Sequence, residues 1–352
     1  MTNPAREFRQ AKKAGAKGAA RGLADGGRVL LSIAITFFGL LLVTFFIGRV
    51  VPTDPVLAAV GDNAPTEVYN RVRAELGLDR PLPEQFAIYV GKAVQGDFGR
   101  SVLTSNRVID DIVRVFPATL ELATIATILG VLIGVPAGIL AATHQGSWPD
   151  HLVRVVGLAG YSIPVFWLGL MGLLVFYARL GWTSGPGRIG VAFVDIVDPI
   201  TGVILIDSAM RGEWAVFRNA FGHVILPASV LGYFSLAYIS RMTRSLMLDQ
   251  LAQEYVVTAR IKGLTERQVV WRHALGNAAV PLITVIALSY ANLLEGSVLT
   301  ETVFAWPGLG QYITNSLLNA DMNAVLGGTI VVGVIFIGIN MLSDVLYRLV
   351  DP

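Results

Sequence analysis

Six apolar stretches, each about as long as a bilayer is thick, dominate the chain. They run from Val29 to Val50, Pro117 to Ala142, Leu152 to Tyr177, Phe221 to Ile239, Val280 to Leu299 and Val325 to Leu349. A helix needs about 20 residues to cross the hydrocarbon core. Lipid offers no water to unpaired backbone groups, so a spanning segment must bond within itself or close into a barrel. Barrel strands would be shorter and polar at every second residue, so these stretches read as helices. The composition agrees: 54 % of residues are hydrophobic, 15 % are charged, and the mean hydropathy is +0.62. Soluble domains carry about 25 % charged residues. These values exclude a disordered chain and a nucleic-acid-binding module, and they speak against a soluble enzyme. The absence of cysteine excludes disulfides, thiol catalysis and cysteine-based metal sites.

Charge sets the expected orientation. Residues 1–28 carry Arg6, Arg9, Lys12, Lys13, Lys17, Arg21 and Arg28 against Glu7 and Asp25. Basic flanks stay in the cytoplasm, which places the amino terminus inside, and six spans return the carboxyl terminus there. The first stretch is too long for a signal peptide and has no small-x-small cleavage site before Arg49, so it reads as a retained anchor. The segment between the fourth and fifth stretches holds Arg241, Arg244, Arg260, Lys262, Arg267 and Arg272, whereas the one between the fifth and sixth has no Lys or Arg. The first is expected inside and the second outside.

Two long segments are expected outside. In residues 51–116, Phe86, Tyr89, Val90, Ala93 and Val94 recur at helical spacing, as do Ile109, Ile112, Val113 and Phe116. The second set predicts an amphipathic helix in the membrane surface before the second span; a small folded cap over the bundle fits equally well. The stretch from Arg179 to Ala220 opens with Gly185, Gly187 and Gly190, a turn signal.

The segment 245–279 is helical in pattern and too polar to span. Leu251, Tyr255, Thr258, Ala259 and Lys262 follow helical spacing, and Gly263 breaks the run. Thr265 and Gln268 match a capping box that starts a second helix, and Pro281 suits the first turn of the fifth span. The result is a helix–turn–helix bracket between two spans. With Tyr255, Ala259 and Gly263 on view it could seat in a partner's groove; the alternative is an ordinary loop holding two spans apart. The membrane tethers on both sides exclude a DNA-reading role.

Other features carry weaker signals. Gly130, Gly134 and Gly138 form a small-residue stripe that permits close helix packing, within the chain or between subunits. Glu121, Glu295 and Glu301 lie near span ends, where structural or gating roles suit them better than the mid-depth proton coupling of a carrier. Asp344 and Arg348 stand four residues apart on one helix face. Trp306-Pro307-Gly308 forms a tight turn after the fifth span. No Gly-x-x-x-x-Gly-Lys-Ser/Thr and no His-Glu-x-x-His occurs, and the four histidines are scattered. Neither a nucleotide-binding loop, nor a metal site, nor a catalytic constellation is expected.

The run Glu254-Tyr255-Val256-Val257-Thr258-Ala259-Arg260-Ile261-Lys262-Gly263-Leu264 resembles the coupling loop of binding-protein-dependent ABC importer permeases. The similarity is to the dipeptide/oligopeptide/nickel branch, with Tyr255, Thr258, Ala259, Arg260, Lys262 and Gly263 on its pattern. Tyr255 and Val256 depart from the general importer loop, which begins Glu-Ala-Ala, as that branch does. Pro52-Thr53-Asp54-Pro55, Leu76-Gly77-Leu78-Asp79, Gly96-Asp97-Phe98-Gly99, Pro117-Ala118-Thr119-Leu120-Glu121-Leu122, Tyr161-Ser162-Ile163-Pro164 and Glu301-Thr302-Val303-Phe304 are similar to the same branch, in the same order.

The resemblance implies an all-α membrane protein with six transmembrane helices of the type I ABC importer permease fold, both termini cytoplasmic, in a bacterial inner membrane. It implies a first transmembrane helix (29–50), an external segment with amphipathic helices (51–116) and a five-helix core (117–350) containing the coupling loop 245–279; the basic cytoplasmic tail (1–28) falls outside the resemblance. It further implies a second, distinct six-helix permease, two ATPase subunits that use ATP and Mg and receive Glu254, Tyr255, Thr258, Ala259, Arg260, Lys262 and Gly263, and an external solute-binding protein. Trp306, Pro307 and Gly308 would form an external gate. A self-sufficient secondary transporter or channel is the alternative; it would need mid-span ionisable groups and usually shows internal repeats.

Overall fold

The computed structural model describes residues 31–47, 55–61, 64–75 and 77–350, apart from the side chains of 55, 58, 59, 75 and 343–350. The basic tail, Pro52-Thr53-Asp54 and the expected Asp344–Arg348 pair fall outside the described residues and side chains. What is described is helical, with one isolated antiparallel bridge between Arg100 and Arg107.

Helix α1 (Leu31–Ile47) is followed by α2 (Pro55–Val60), α3 (Thr66–Glu75) and α4 (Leu82–Val94). The apolar stripe of α4 packs along α1 rather than along lipid. Phe86 meets the rings of Phe38 and Phe45, and the hydroxyls of Tyr89 and Thr44 lie 2.9 Å apart.

Helix α5 (Val108–Thr143) corrects the expected surface helix. Its first turns are not a separate helix; they run without a break into the second apolar stretch. Val108 and Ile112 are buried against Leu309 and Ala324, whereas Val113 of the expected stripe is exposed, so the stripe is split between protein and the outer surface. Pro117 lies inside this helix, where its missing N–H removes one backbone bond without ending the run.

The third apolar stretch is also corrected. It is a bent pair, α6 (Trp148–Ser162) and α7 (Val165–Gly172, continued as a π-helix over Leu173–Arg179), turned by 101° at Ile163-Pro164. Proline disfavours the helical region for the residue before it, and Ile163 is extended at φ −90°, ψ 124°.

A short α8 (Ile204–Arg211) leads to α9 (Trp214–Leu251), 38 residues long and continuing well past the apolar run that ends at Ile239. The bracket helix α10 (Glu254–Ile261) then precedes α11 (Glu266–Gly296), which passes without a break from the bracket through a π-segment, Val269–Ala274, into the fifth span. Pro281 is therefore inside α11 and not at the first turn of a new helix. Helices α12 (Val298–Val303), α13 (Leu309–Leu318) and α14 (Met322–Val350) complete the chain.

Among the described residues, four helices are long and apolar enough to cross a membrane (α5, α9, α11 and α14), and the bent pair makes up to five. Leu31–Ile47 is a shorter apolar helix bordered by undescribed residues.

The α5–α9 pair forms the centre. Ala118, Leu122 and Ala126 pack on Val224, Ala228 and Leu231. The glycine stripe faces α9. A Cβ at Gly130 would stand 2.5 Å from the Ser235 hydroxyl, and one at Gly138 would stand 2.6 Å from the Ser240 carbonyl oxygen. Backbone cannot retreat as a side-chain tip can, so Gly138→Ala is expected to destabilise by about 1–3 kcal/mol through overpacking. Gly276 has no atom within 4 Å of such a Cβ. Gly276→Ala should gain up to about 1 kcal/mol from helix propensity. Thermal unfolding in detergent should move down for the first variant and hold or rise for the second.

Candidate functional site

The bracket is a small folded unit. Helix α10 ends at Ile261 with Lys262 as its cap, and Gly263 adopts φ +81°, a left-handed conformation that residues with a Cβ rarely adopt. Its N–H donates to the Arg260 carbonyl, and that of Leu264 donates to Ala259. These bonds satisfy carbonyls left over at the helix end. Thr265 then caps α11: its hydroxyl accepts from Gln268 N–H, and the Gln268 side chain accepts from Thr265 N–H at 3.0 Å. Arg260 clasps Glu266 across the turn with two bonds of 2.8 and 3.1 Å. Removing the cap by Thr265→Ala should cost about 1 kcal/mol. Faster amide exchange across 266–270, with the membrane helices unchanged, is the expected readout.

The inner face of the bracket corrects the sequence reading. Ala259 is buried and Tyr255 half-buried, packed with Val256, Leu264 and Val269, and the Tyr255 hydroxyl donates to Gln250 at 2.8 Å. They hold α10 against α11; Ala259 is not on view, and Tyr255 is on view only in part. The exposed face carries Glu254, Val257, Thr258, Ile261 and Lys262, with Gly263 at its end. Ile261 is 81 % exposed and Val257 is 50 % exposed. They stand four residues apart, on one side of the helix. The expected set named the neighbours of this apolar pair and missed the pair itself, although its i, i+4 spacing was readable.

A carboxylate clamp fastens the same end. Asp150, buried at the start of α6, accepts from Arg244 of α9 at 2.6 and 2.9 Å and from Gly146 N–H at 3.0 Å.

At the far end of α11 the chain folds back. Trp306 is fully buried, and its indole N–H donates to the Ala118 carbonyl at 2.8 Å. Glu301 is likewise buried; it accepts from Thr119 and Ser297 hydroxyls at 2.7 and 3.0 Å and from Gln311 N–H at 2.9 Å. Burial pushes the Glu301 carboxyl above the ordinary carboxylate value, and the bonds from Thr119, Gln311, Ser297 and Gly310 oppose part of that rise. A Cβ at Gly308 would stand 2.5 Å from the Glu301 carboxyl carbon, so the turn needs glycine to close on it. Pro307 lies between these fixed points.

The segment from Arg179 to Ala220 is tied into this lock. Arg188 donates to Glu121 at 2.5 and 2.8 Å and to the Gly202 carbonyl at 2.8 Å, and it stands 5.9 Å over the Trp306 ring. Glu121 also accepts from Leu205 N–H at 3.0 Å. The carboxylate of Asp207 gathers the N–H groups of Ile200, Thr201 and Gly202 and the Thr201 hydroxyl. Burial works against its ionised form, but those bonds outweigh it and hold its pKa below the ordinary value. Glu295 differs from Glu121 and Glu301 in being exposed. Among the described residues, no group of three or more histidines or acids is placed to hold a metal.

Comparison with known proteins supports this geometry. Residues 134–352 match the family described as "Binding-protein-dependent transport system inner membrane component", and residues 27–123 match the family of its N-terminal part. The chain is 42 % identical over 323 residues to the probable D,D-dipeptide transport system permease protein DdpB of Escherichia coli K12, covering 91 % of this chain and 94 % of that one. It is 43 % identical over 318 residues to the di/tripeptide transport system permease protein DppB of Pseudomonas aeruginosa, covering 90 % and 94 %. Among solved structures, it shares the fold of a chain of the MetNI methionine ABC transporter in an inward-facing conformation. The TM-score is 0.50 at 20 % identity, over 68 % of this chain and 96 % of that one. A folded bracket between two long apolar helices, a bundle centred on one close helix pair and a match along most of the sequence converge: the chain belongs to the family of inner membrane components of binding-protein-dependent transport systems.

Proposed function

We propose that this chain forms half of the translocation pathway of an ATP-driven importer for peptides or similar small solutes. It is a multi-pass protein of a bacterial inner membrane. In this reading Leu31–Ile47 is the inner part of a sixth span, both termini are cytoplasmic, and the bracket faces the cytoplasm. The pathway is completed by a second, distinct permease. Two partner ATPases hydrolyse ATP with Mg, and an external binding protein delivers the solute. The relatives' peptide substrates support the solute class.

The observation that carries the reading is the bracket's build. It is short, capped at both ends of its turn, clasped by Arg260–Glu266 and continuous with the fifth span. A push on Val257 and Ile261 would pass into α11 as rigid-body motion rather than be lost in a loop. Such motion between two packed states is what alternating access requires. At the opposite end, the turn Trp306-Pro307-Gly308 is fixed to α5, so as a gate it would move with α5 and not as a free flap. Gly130, Gly134 and Gly138 serve packing within the chain.

The test is affinity purification from the native membrane in mild detergent, followed by mass spectrometry. The proposal expects ATPase subunits and a second six-span protein to accompany the chain. Recovery of the chain alone, with transport intact in liposomes lacking ATP, would overturn it in favour of a secondary carrier.

A further inference from the structure

Between α6 and α9, at the bracket end, lies a cavity of about 420 Å³ whose charged lining residues are all basic. Arg154, Arg241 and Arg244 border it. Asp150 takes the Nε and one terminal nitrogen of Arg244, and Arg154 reaches the same carboxylate at 3.6 Å. One acid is thus shared by two of the three guanidinium groups. Arg241 meets no carboxylate among the described residues. Its guanidinium lies 4.7 Å over the Tyr161 ring and donates to the Tyr161 hydroxyl at 3.2 Å. Stacking of this kind fixes the plane of the fork while leaving its outer N–H groups free for an anion.

The surroundings say what kind of anion. Arg241 lies two residues past the apolar run that ends at Ile239, and in the proposed orientation the membrane's polar layer begins there. On α6, Val155 and Leu158 are 64 % and 68 % exposed beside the cavity, and Trp148, at the start of that helix, is 71 % exposed. A cationic cavity of this size with apolar side chains beside it matches an amphiphile: a negative head on the arginines and acyl chains along α6. Basic pockets between membrane helices on the cytoplasmic side suit anionic headgroups, and cavities of a few hundred Å³ hold small polar groups.

We infer that the Arg154–Arg241–Tyr161 cavity between α6 and α9 binds the phosphate headgroup of an anionic phospholipid. The inference rests on the proposed orientation of the bracket end toward the cytoplasm. A bound lipid at this point would brace α6 on α9 next to the bracket.

The test uses the intact transporter, this chain with its partner subunits, in nanodiscs of phosphatidylglycerol mixed with phosphatidylcholine. Native mass spectrometry counts the lipids retained per complex, and ATP-driven uptake is measured on the same preparations. Wild type should hold phosphatidylglycerol in preference to phosphatidylcholine. Arg241→Gln should weaken that retention about fivefold, the effect of removing one arginine near an anionic surface. Arg241→Lys keeps the charge but not the stacked fork, so its retention should fall between that of wild type and that of Arg241→Gln. If Arg241→Gln does not assemble, Tyr161→Leu carries the test, because it removes the stack without removing the charge; it too should lower retention. Equal phosphatidylglycerol counts in wild type and variants would overturn the inference. So would displacement of the lipid by millimolar inorganic phosphate, which would make the occupant a free anion. Loss of ATP-driven uptake in wild type itself would instead count against the importer reading, so the two failures are distinguishable.

Discussion

Replacing Gly263 with proline is expected to abolish solute uptake while the chain still reaches the membrane in normal amounts. Gly263 sits at φ +81°, and its N–H donates to the Arg260 carbonyl. Proline is locked near φ −65° and has no N–H, so it can neither make this turn nor keep that bond. Helix α10 would separate from α11, the Arg260–Glu266 clasp would open, and Val256 and Ala259 would lose Val269. None of these contacts lies in the α5–α9 centre, so insertion and the bundle should survive. Gly263→Asn is the matched control, because asparagine enters the left-handed region at modest cost, and it should retain most uptake. Uptake by membrane vesicles with ATP supplied on the cytoplasmic side, normalised to immunoblotted protein, separates the two variants.

The second large effect is expected at the far end. Arg188→Ala should destabilise the protein by about 3–5 kcal/mol, because it strands a buried carboxylate. Glu121 is 4 % exposed, and Arg188 supplies two of its bonds. The same change frees the Gly202 carbonyl and uncovers one face of Trp306, so the segment from Arg179 to Ala220 should loosen from α5 and from the Trp306 turn together. Adding Glu121→Gln should recover much of the loss, since the stranded charge is gone; a double-mutant cycle on detergent-solubilised thermal unfolding measures the coupling. Additive losses would mean that the pair is incidental to the lock.

What could be read from the sequence was what is set by neighbours along the chain. Thr265 and Gln268 cap α11 because a hydroxyl three residues from a glutamine needs no tertiary help. Gly263 ends α10 because only the backbone there is at stake. The glycine stripe was visible as a spacing, and α9 lies against it. The bend at Pro164 was hidden because Ile163 and Phe166 look as apolar in a broken span as in a straight one. The first turns of α5 had a true amphipathic pattern, but pattern alone does not say whether Ile112 meets lipid or Leu309. Ala259 turns inward on α10 for the same reason: spacing finds a stripe and not its partner. Pairings across distance, Arg188 with Glu121 and Arg244 with Asp150, are separated by 67 and 94 positions, and no local rule joins them.

The central claim is that α10 hands the work of partner ATPases to the membrane helices through its exposed Val257 and Ile261. The chain has no cysteine, so a single Ile261→Cys substitution gives one addressable site. Native membranes holding this variant should be treated with a short bifunctional thiol–amine cross-linker, with and without a non-hydrolysable ATP analogue. The account predicts a cross-link from position 261 to an ATPase subunit whose yield changes on nucleotide binding, and none from a cysteine placed at Trp214, at the other end of α9. Absence of that cross-link from a complex that still imports its solute would contradict it.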